Sequence, residues 1–387
     1  MISVISTTDY NIHGPMEVSH SIAIDARKLG ETGIGRYAQH LLSAVGRSPE
    51  AHRYRWRAYS HADHWVHAAG MPVGTIRETV WSGGYGPLQH AEFAARMARH
   101  PADLFHGTHF TIPLLIPGRT RVITTIHDVA FFRRPELARR SAGMALRLRA
   151  YRLLVRLSAR RADVVCAVTQ AAADELVMDV PEARGKIRIL PSATNMVPFD
   201  RSESDPGPDA IVLVGMISAR KGVADLVRAY AQGDPALRSR KLVLVGPGHE
   251  DYVANIRRLA SELGVADCLT ITGAISDAEL MNWYRQAAVV VLPSHLEGFG
   301  LPILEAMAMG IPTVASTLPA IREVTDGASV LVPPGDIAGL ADALSRVCAD
   351  PGLRRDLIGR GLIRAEHYTV NRLGERAMTI YRELLGT

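Results

Sequence analysis

Short apolar runs alternate with longer helical patterns along the whole of this 387-residue chain. Runs at 21–24, 121–126, 164–168, 211–214, 241–245 and 289–292 are continuous rather than alternating, as strands buried on both faces must be. Such strands need helices on both sides, so the pattern predicts an α/β chain with parallel sheets. The length suits two domains with ample cores. Residues 200–209, reading DRSESDPGPD, are polar and rich in chain breakers, which predicts a linker there. The expected organisation is a mobile tail at 1–20, a first domain at 21–200, a linker at 201–209 and a second domain at 210–367. A last helix at 368–387 carries Leu373, Ala377, Ile380, Tyr381 and Leu384 at helical spacing.

The densest chemistry lies at residues 297–305, EGFGLPILE. The preceding run reads as a buried strand. Pro302 fits the first turn of a following helix and Gly310 its end. Glu297 and Glu305 therefore flank a glycine-rich corner between strand and helix, where parallel α/β sheets bind ligands. Free backbone N–H groups there suit polyhydroxylated or anionic molecules. A second corner, at 212–222, ends in Arg220 and Lys221. Two adjacent cations after a strand suit a diphosphate, Arg binding bidentately and Lys as a point charge.

The segment 292–316, reading LPSHLEGFGLPILEAMAMGIPTVAS, resembles glycosyltransferase family 4, and Glu297 to Glu305 looks like the E-x7-E motif of its retaining members. The resemblance runs from about residue 22 to the end. It implies the GT-B fold: two Rossmann-like domains facing a central cleft, with the last helix crossing back to complete the first. It further implies a nucleotide-diphosphate sugar donor. Glu297 would orient the sugar, Glu305 would hold the ribose, and the backbone at Gly298, Phe299, Gly300 and Leu301 would complete the sugar site. Lys221 and Arg220, with Gly215 and the Gly33–Gly35 loop, would hold the diphosphate, and the loop at Ile275 the nucleobase. His127 resembles the family's strand-end histidine beside the donor sugar, with Asp128 fixing its loop. His106 and His109 are weaker candidates for the acceptor side. The chain departs from the family twice. Met216 replaces an Arg common after the glycine, and Pro191-Ser192-Ala193 replaces Pro-Asn-Gly before the linker. Glu323 matches a common pattern but receives no role.

The Arg-Lys subgroup and the GIGRY loop at 33–37 look most like bacterial mannosyltransferases of polysaccharide assembly. The expected donor is thus GDP-mannose, with UDP-sugars next, and the expected acceptor a lipid-linked saccharide. Residues 33–38 also satisfy a dinucleotide fingerprint, but the acid wanted about twenty residues on, at the end of the second strand, is missing there. No Asp-x-Asp and no His/Cys cluster of ligand spacing occurs, so no metal is expected and the cation pair carries the diphosphate charge. A GT-B epimerase or phosphorylase, or a non-catalytic sugar-nucleotide-binding subunit, would share most of these features.

Net charge is +5, and residues 139–161 hold many arginines and no acid. Arg149, Arg152, Arg156 and Arg160 fall on one helical stripe. The stripe reads either as a solvated face or as a patch for anionic lipid headgroups. No recognition motif accompanies it, so nucleic acid is not an expected partner. The opening residues lack the basic start and apolar core of a secretory signal, and the three cysteines are scattered, which fits a reducing cytoplasm.

Overall fold

The structure is a computed structural model that describes residues 20–31, 33–67, 70–81, 87–116, 119–135, 143–199 and 209–387. Residues 1–19 of the expected tail, Thr32 and the linker at 201–208 lie outside the described residues.

The first domain contains β1 (His20–Asp25), α1 (Gly33–Gly46), β2 (Tyr54–Ser60), β3 (Ile76–Thr79), α2 (Pro87–Arg99), β4 (Leu104–Gly107), β5 (Arg121–Ile126), α3 (Ala130–Arg133), α4 (Met144–Arg161), β6 (Val164–Ala167), α5 (Gln170–Asp179) and β7 (Ile187–Ile189). Its strands form a parallel sheet in the order β3-β2-β1-β4-β5-β6-β7. β1 begins at His20, one residue before the expected domain start.

The second domain contains β8 (Ala210–Val214), α6 (Val223–Gln232), α7 (Pro235–Arg238), β9 (Lys241–Val245), α8 (Glu250–Glu262), β10 (Leu269–Ile271), α9 (Asp277–Gln286), β11 (Ala287–Leu292), α10 (Leu301–Ala308), β12 (Thr313–Ser316), α11 (Pro319–Thr325), β13 (Val330–Val332), α12 (Ile337–Ala349) and α13 (Pro351–Ala365). Its parallel sheet runs β10-β9-β8-β11-β12-β13. Every residue of β11 is buried, which is why the run is wholly apolar. Both sheets reverse strand order beside their first strand, at β1/β4 and at β8/β11. The loops leaving these strands flank the two topological switch points.

The last helix, α14 (Val370–Leu385), follows α13 but packs on α1. Gly374 permits this contact, because a Cβ there would sit 2.6 Å from the Ala44 carbonyl oxygen. Arg382 bonds Glu50 at 2.9 Å, and the Tyr381 ring is fully buried against the first domain. A bridge between Thr194 and Thr369 ties the two crossing segments together. One continuous apolar cluster joins residues of both sheets, from Ile22 and Ile24 to Val290, Leu292 and Phe299. No helix among the described residues is long and apolar enough to cross a membrane.

Candidate active site

After β8 the chain makes a tight turn at Ala219–Lys221 and leaves it through Gly222, whose φ of 67° is left-handed. A Cβ at 222 would lie 2.1 Å from the Pro293 carbonyl oxygen, so this glycine lets the turn press against the end of β11. The His295 N–H donates to the Arg220 carbonyl at 2.8 Å, and the His295 ring meets Asp225 at 2.7 Å. These two contacts stitch the loop after β8 and the start of α6 to the loop after β11.

The stitching brings Lys221 and Glu297 together. Lys221 Nζ donates to Glu297 Oε2 at 2.6 Å, with both side chains about nine-tenths buried (8% and 12% exposed). Burial would raise the Glu297 carboxyl, but Lys221 and then Arg220 hold it below the ordinary carboxylate range. Arg220 in turn reaches Asp128 of the first domain at 3.4 Å. Each cation of the expected diphosphate pair thus already faces an acid.

Glu305 sits in the first turns of α10, whose N-cap is Gly300 at φ 89°. It is 2% exposed. Tyr284 Oη donates to its Oε2 at 2.7 Å, while Oε1 is buried without a hydrogen-bond partner. Arg36, from α1 of the opposite domain, holds Nε 3.5 Å from Oε1 and donates from Nη2 to Asp277 at 2.7 Å. Burial raises the Glu305 carboxyl; Arg36 and Tyr284 oppose it.

The two domains meet closely here. A Cβ on Gly298 would lie 2.1 Å from the His127 carbonyl oxygen. Thr169 Oγ1 donates to the Gly298 carbonyl at 3.0 Å. The Glu323 carboxylate accepts from the N–H groups of Gln170 and Ala171, at 2.7 and 2.9 Å, capping α5 across the interface. Phe299 is buried edge-on against Tyr368. Only its backbone is left to meet a ligand.

His127 lies at this junction. Its Nε2 faces the Thr108 carbonyl at 2.9 Å, which assigns the proton to Nε2. Burial lowers its pKa, so the ring is neutral at pH 7. The other two histidines require correction. His106 is fully buried, with Nδ1 2.7 Å from Tyr381 Oη and Nε2 3.0 Å from Thr125 Oγ1, and burial pushes its pKa to about 3. His109 is buried beside Phe110 with Nδ1 on Thr111. Neither is open to an acceptor alcohol. A strand-end histidine looks the same in sequence whether it faces a cleft or anchors a core.

The glycine loop also divides. Gly33 opens onto free space, but a Cβ on Gly35 would lie 2.3 Å from the Lys28 carbonyl oxygen. Gly35 therefore serves its own loop's closure. Gly215, at φ 138°, lies beside the Lys221 stem. Ile275 packs partly buried against the core, and Ser276 caps α9 through a box with Glu279. On α4, Arg149, Arg156 and Arg160 are exposed, but the Arg152 guanidinium turns inward, donating to the Phe132 carbonyl at 2.9 Å. Leu146 and Leu153, 71% and 57% exposed, share the outer face. The start of the arginine-rich stretch, at 139–142, lies outside the described residues. Sequence reasoning missed Arg36, Tyr284, Asp277 and Thr169. Arg36 stood inside the quoted loop, yet nothing in its spacing pointed to Glu305.

Two family descriptions match consecutive parts of the chain: glycosyltransferase family 4 over residues 32–196, and glycosyl transferases group 1 over residues 198–362. The chain is 36% identical over 238 residues to a D-inositol 3-phosphate glycosyltransferase of Actinosynnema mirum, a match covering 57% of each chain. It thus spans little more than half the length of that relative. It is 25% identical over 292 residues to O-antigen chain mannosyltransferase B of Escherichia coli, covering 73% of this chain and 74% of that one. Among solved structures, Anabaena HepE in complex with UDP and glucose superposes with a TM-score of 0.73 at 18% identity, covering 94% of this chain and 100% of that one. That likeness is one of fold.

Proposed function

The chain belongs to the group 1 and family 4 glycosyltransferases, and we propose that it moves a hexose, with retention of configuration, from a nucleotide-diphosphate sugar to a saccharide acceptor. The observation that carries this reading is the buried Lys221–Glu297 pair, with Glu305, one of whose carboxylate oxygens has no hydrogen-bond partner, eight residues further on.

In this reaction the bond between the anomeric carbon and the diphosphate oxygen breaks, and a bond to the acceptor oxygen forms on the same face. The acceptor proton passes to the departing phosphate. The leaving group gains negative charge, which Lys221, Arg220 and the α1 N-terminus at Gly33 are suited to stabilise. The sugar ring gains positive character. Glu297, held ionised by Lys221, accepts hydrogen bonds from sugar hydroxyls and orients the ring. His127, neutral and held at the domain junction by the Thr108 carbonyl, is assigned to the same region. No covalent nucleophile is required, so Glu297 is not assigned as one.

GDP-mannose is the favoured donor, supported by the similarity to the O-antigen mannosyltransferase. A UDP-sugar is the second reading, supported by the fold shared with a protein solved with UDP and glucose. The acceptor is a lipid-linked saccharide at the cytoplasmic face of the membrane. Supporting it is the outer face of α4, where exposed Leu146 and Leu153 lie among Arg149, Arg156 and Arg160. Anionic liposomes should bind the wild type and release a variant with these arginines reversed in charge.

The donor reading is tested with a panel of nucleotide sugars in EDTA, comparing wild type with Lys221→Ala and Glu297→Ala. Binding of one sugar nucleotide without metal, weakened most by Lys221→Ala, is the expected result. Binding of none, or binding that needs a divalent metal, would overturn it.

A further inference from the structure

We propose that Arg36 is a positioning residue that completes the nucleoside subsite from the opposite domain, acting through Glu305. This rests on the reading above that Glu305 receives the ribose hydroxyls.

Four observations carry it. Glu305 Oε1 is buried and lacks a hydrogen-bond partner, although a buried carboxylate oxygen is costly to leave unmatched. Its other oxygen is taken by Tyr284 Oη at 2.7 Å. The nearest cation is Arg36, whose Nε stands 3.5 Å from Oε1, close enough to fix charge but not to occupy the oxygen with a hydrogen bond. Arg36 is itself tethered by its Nη2 to Asp277 at 2.7 Å. A ribose diol needs an acceptor whose hydrogen-bonding capacity is not already spent, and Oε1 is that atom, its neighbour Oε2 being taken by Tyr284.

The groups facing Glu305 are Arg36 from α1 and Tyr284 and Asp277 from α9, and His40 of α1 lies within reach of the Arg36 charge. Burial and Asp277 push the Glu305 carboxyl up, and Arg36 and Tyr284 push it down. Since Arg36 belongs to the first domain and Glu305 to the second, separating the domains removes the cation. The carboxyl then binds its proton more readily and loses acceptor capacity. This pair therefore couples donor binding to domain contact.

Donor binding requires ionised Glu305, so it weakens as pH falls through that carboxyl's pKa. Removing Arg36 raises the pKa and moves the acid limb of binding to higher pH. The experiment measures the pH dependence of the dissociation constant for GDP and for UDP, the diphosphate's own titration being common to all variants. Arg36→Ala should shift the acid limb up by about one pH unit, costing about tenfold in affinity on that limb. Arg36→Lys should restore most of it. Asp277→Asn should not move the limb upward, because it removes a negative neighbour. In a Glu305→Gln background, adding Arg36→Ala should no longer shift the limb. An equal loss of affinity at every pH in Arg36→Ala would reduce Arg36 to a structural contact and overturn the proposal. A Glu305→Gln protein that binds both diphosphates as wild type would instead overturn the ribose reading beneath it.

Discussion

Substituting Gly298 by alanine isolates the contact between the two domains from the fold of either. The φ of Gly298 is not left-handed, so alanine meets no backbone obstacle there. The obstacle is the first domain. The new Cβ would lie 2.1 Å from the His127 carbonyl oxygen and 3.1 Å from both the His127 carbonyl carbon and the Asp128 Cβ. To regain ordinary van der Waals contact at 3.4 Å, the loop or the domain must retreat by about 1.3 Å. A backbone carbonyl anchored by β5 yields less readily than a hinge between domains, so the domains should part. The Thr169 bond to the Gly298 carbonyl weakens with them. A misplacement of about 1 Å between reacting groups costs about a hundredfold in rate, or about 2.7 kcal/mol. We therefore expect kcat for transfer from the donor found in the binding panel to fall by about two orders of magnitude. Thermal unfolding should move by no more than about 4 °C. Solution scattering should show a larger radius of gyration. A Gly298→Ala protein with kcat/KM within about threefold of wild type and unchanged scattering would refute the claim that this approach governs the site.

Lys221→Met should destabilise the protein by about 3 kcal/mol in urea unfolding, by leaving Glu297 buried and uncompensated, and Lys221→Met/Glu297→Gln should recover most of that loss. Because Glu297 is held below the usual carboxylate range, the pair's contribution is present above about pH 4.3 and is lost as pH falls through the lower folded-state value; urea midpoints from pH 8 to 3 check this. Gly374→Ala should cost about 1–3 kcal/mol, because the Cβ meets the Ala44 carbonyl, whereas Gly359→Ala in α13, with open space around it, should stabilise by about 0.5–1 kcal/mol. Glu323→Ala should cost about 1 kcal/mol and loosen α5 at the interface, read as faster amide exchange at Gln170 and Ala171.

What the sequence revealed follows from how local each signal is. β11 was legible because six consecutive buried positions leave no room for a polar residue. The α/β architecture and its fold family followed from the same continuity, repeated, together with the long 292–316 segment. Glu297 and Lys221 were legible as residues following strand ends, but their mutual contact was not. It depends on β8 and β11 being neighbours, and they lie far apart in the chain. Arg36 and Glu305 lie in different domains, far apart in the chain, and only the packing of one domain on the other brings them together. His106 was misread because the bonds that fix it come from Tyr381 and Thr125, one of them on the last helix. Arg152 was misread because periodicity gives a side chain's face and not its bend toward a nearby carbonyl. Gly35 shows a similar limit: its small size answers to Lys28 in the same loop rather than to a visitor.

The return of α14 to α1 has a consequence for how the protein is made. The first domain's sheet is finished at Ile189, but the helix that covers α1 begins only at Val370. Translation of the roughly 180 intervening residues takes about 10–40 s at ordinary elongation rates. Throughout that interval the surface at Ala44 and Gly374's future seat stays open, and His106 and Glu50 wait for Tyr381 and Arg382. The second domain can complete its own sheet before the first domain is covered, although it is synthesised later. The nascent chain is thus most exposed to non-native association while its earliest-made half is still missing one wall, and a ribosome stalled in the second domain would display that half uncovered.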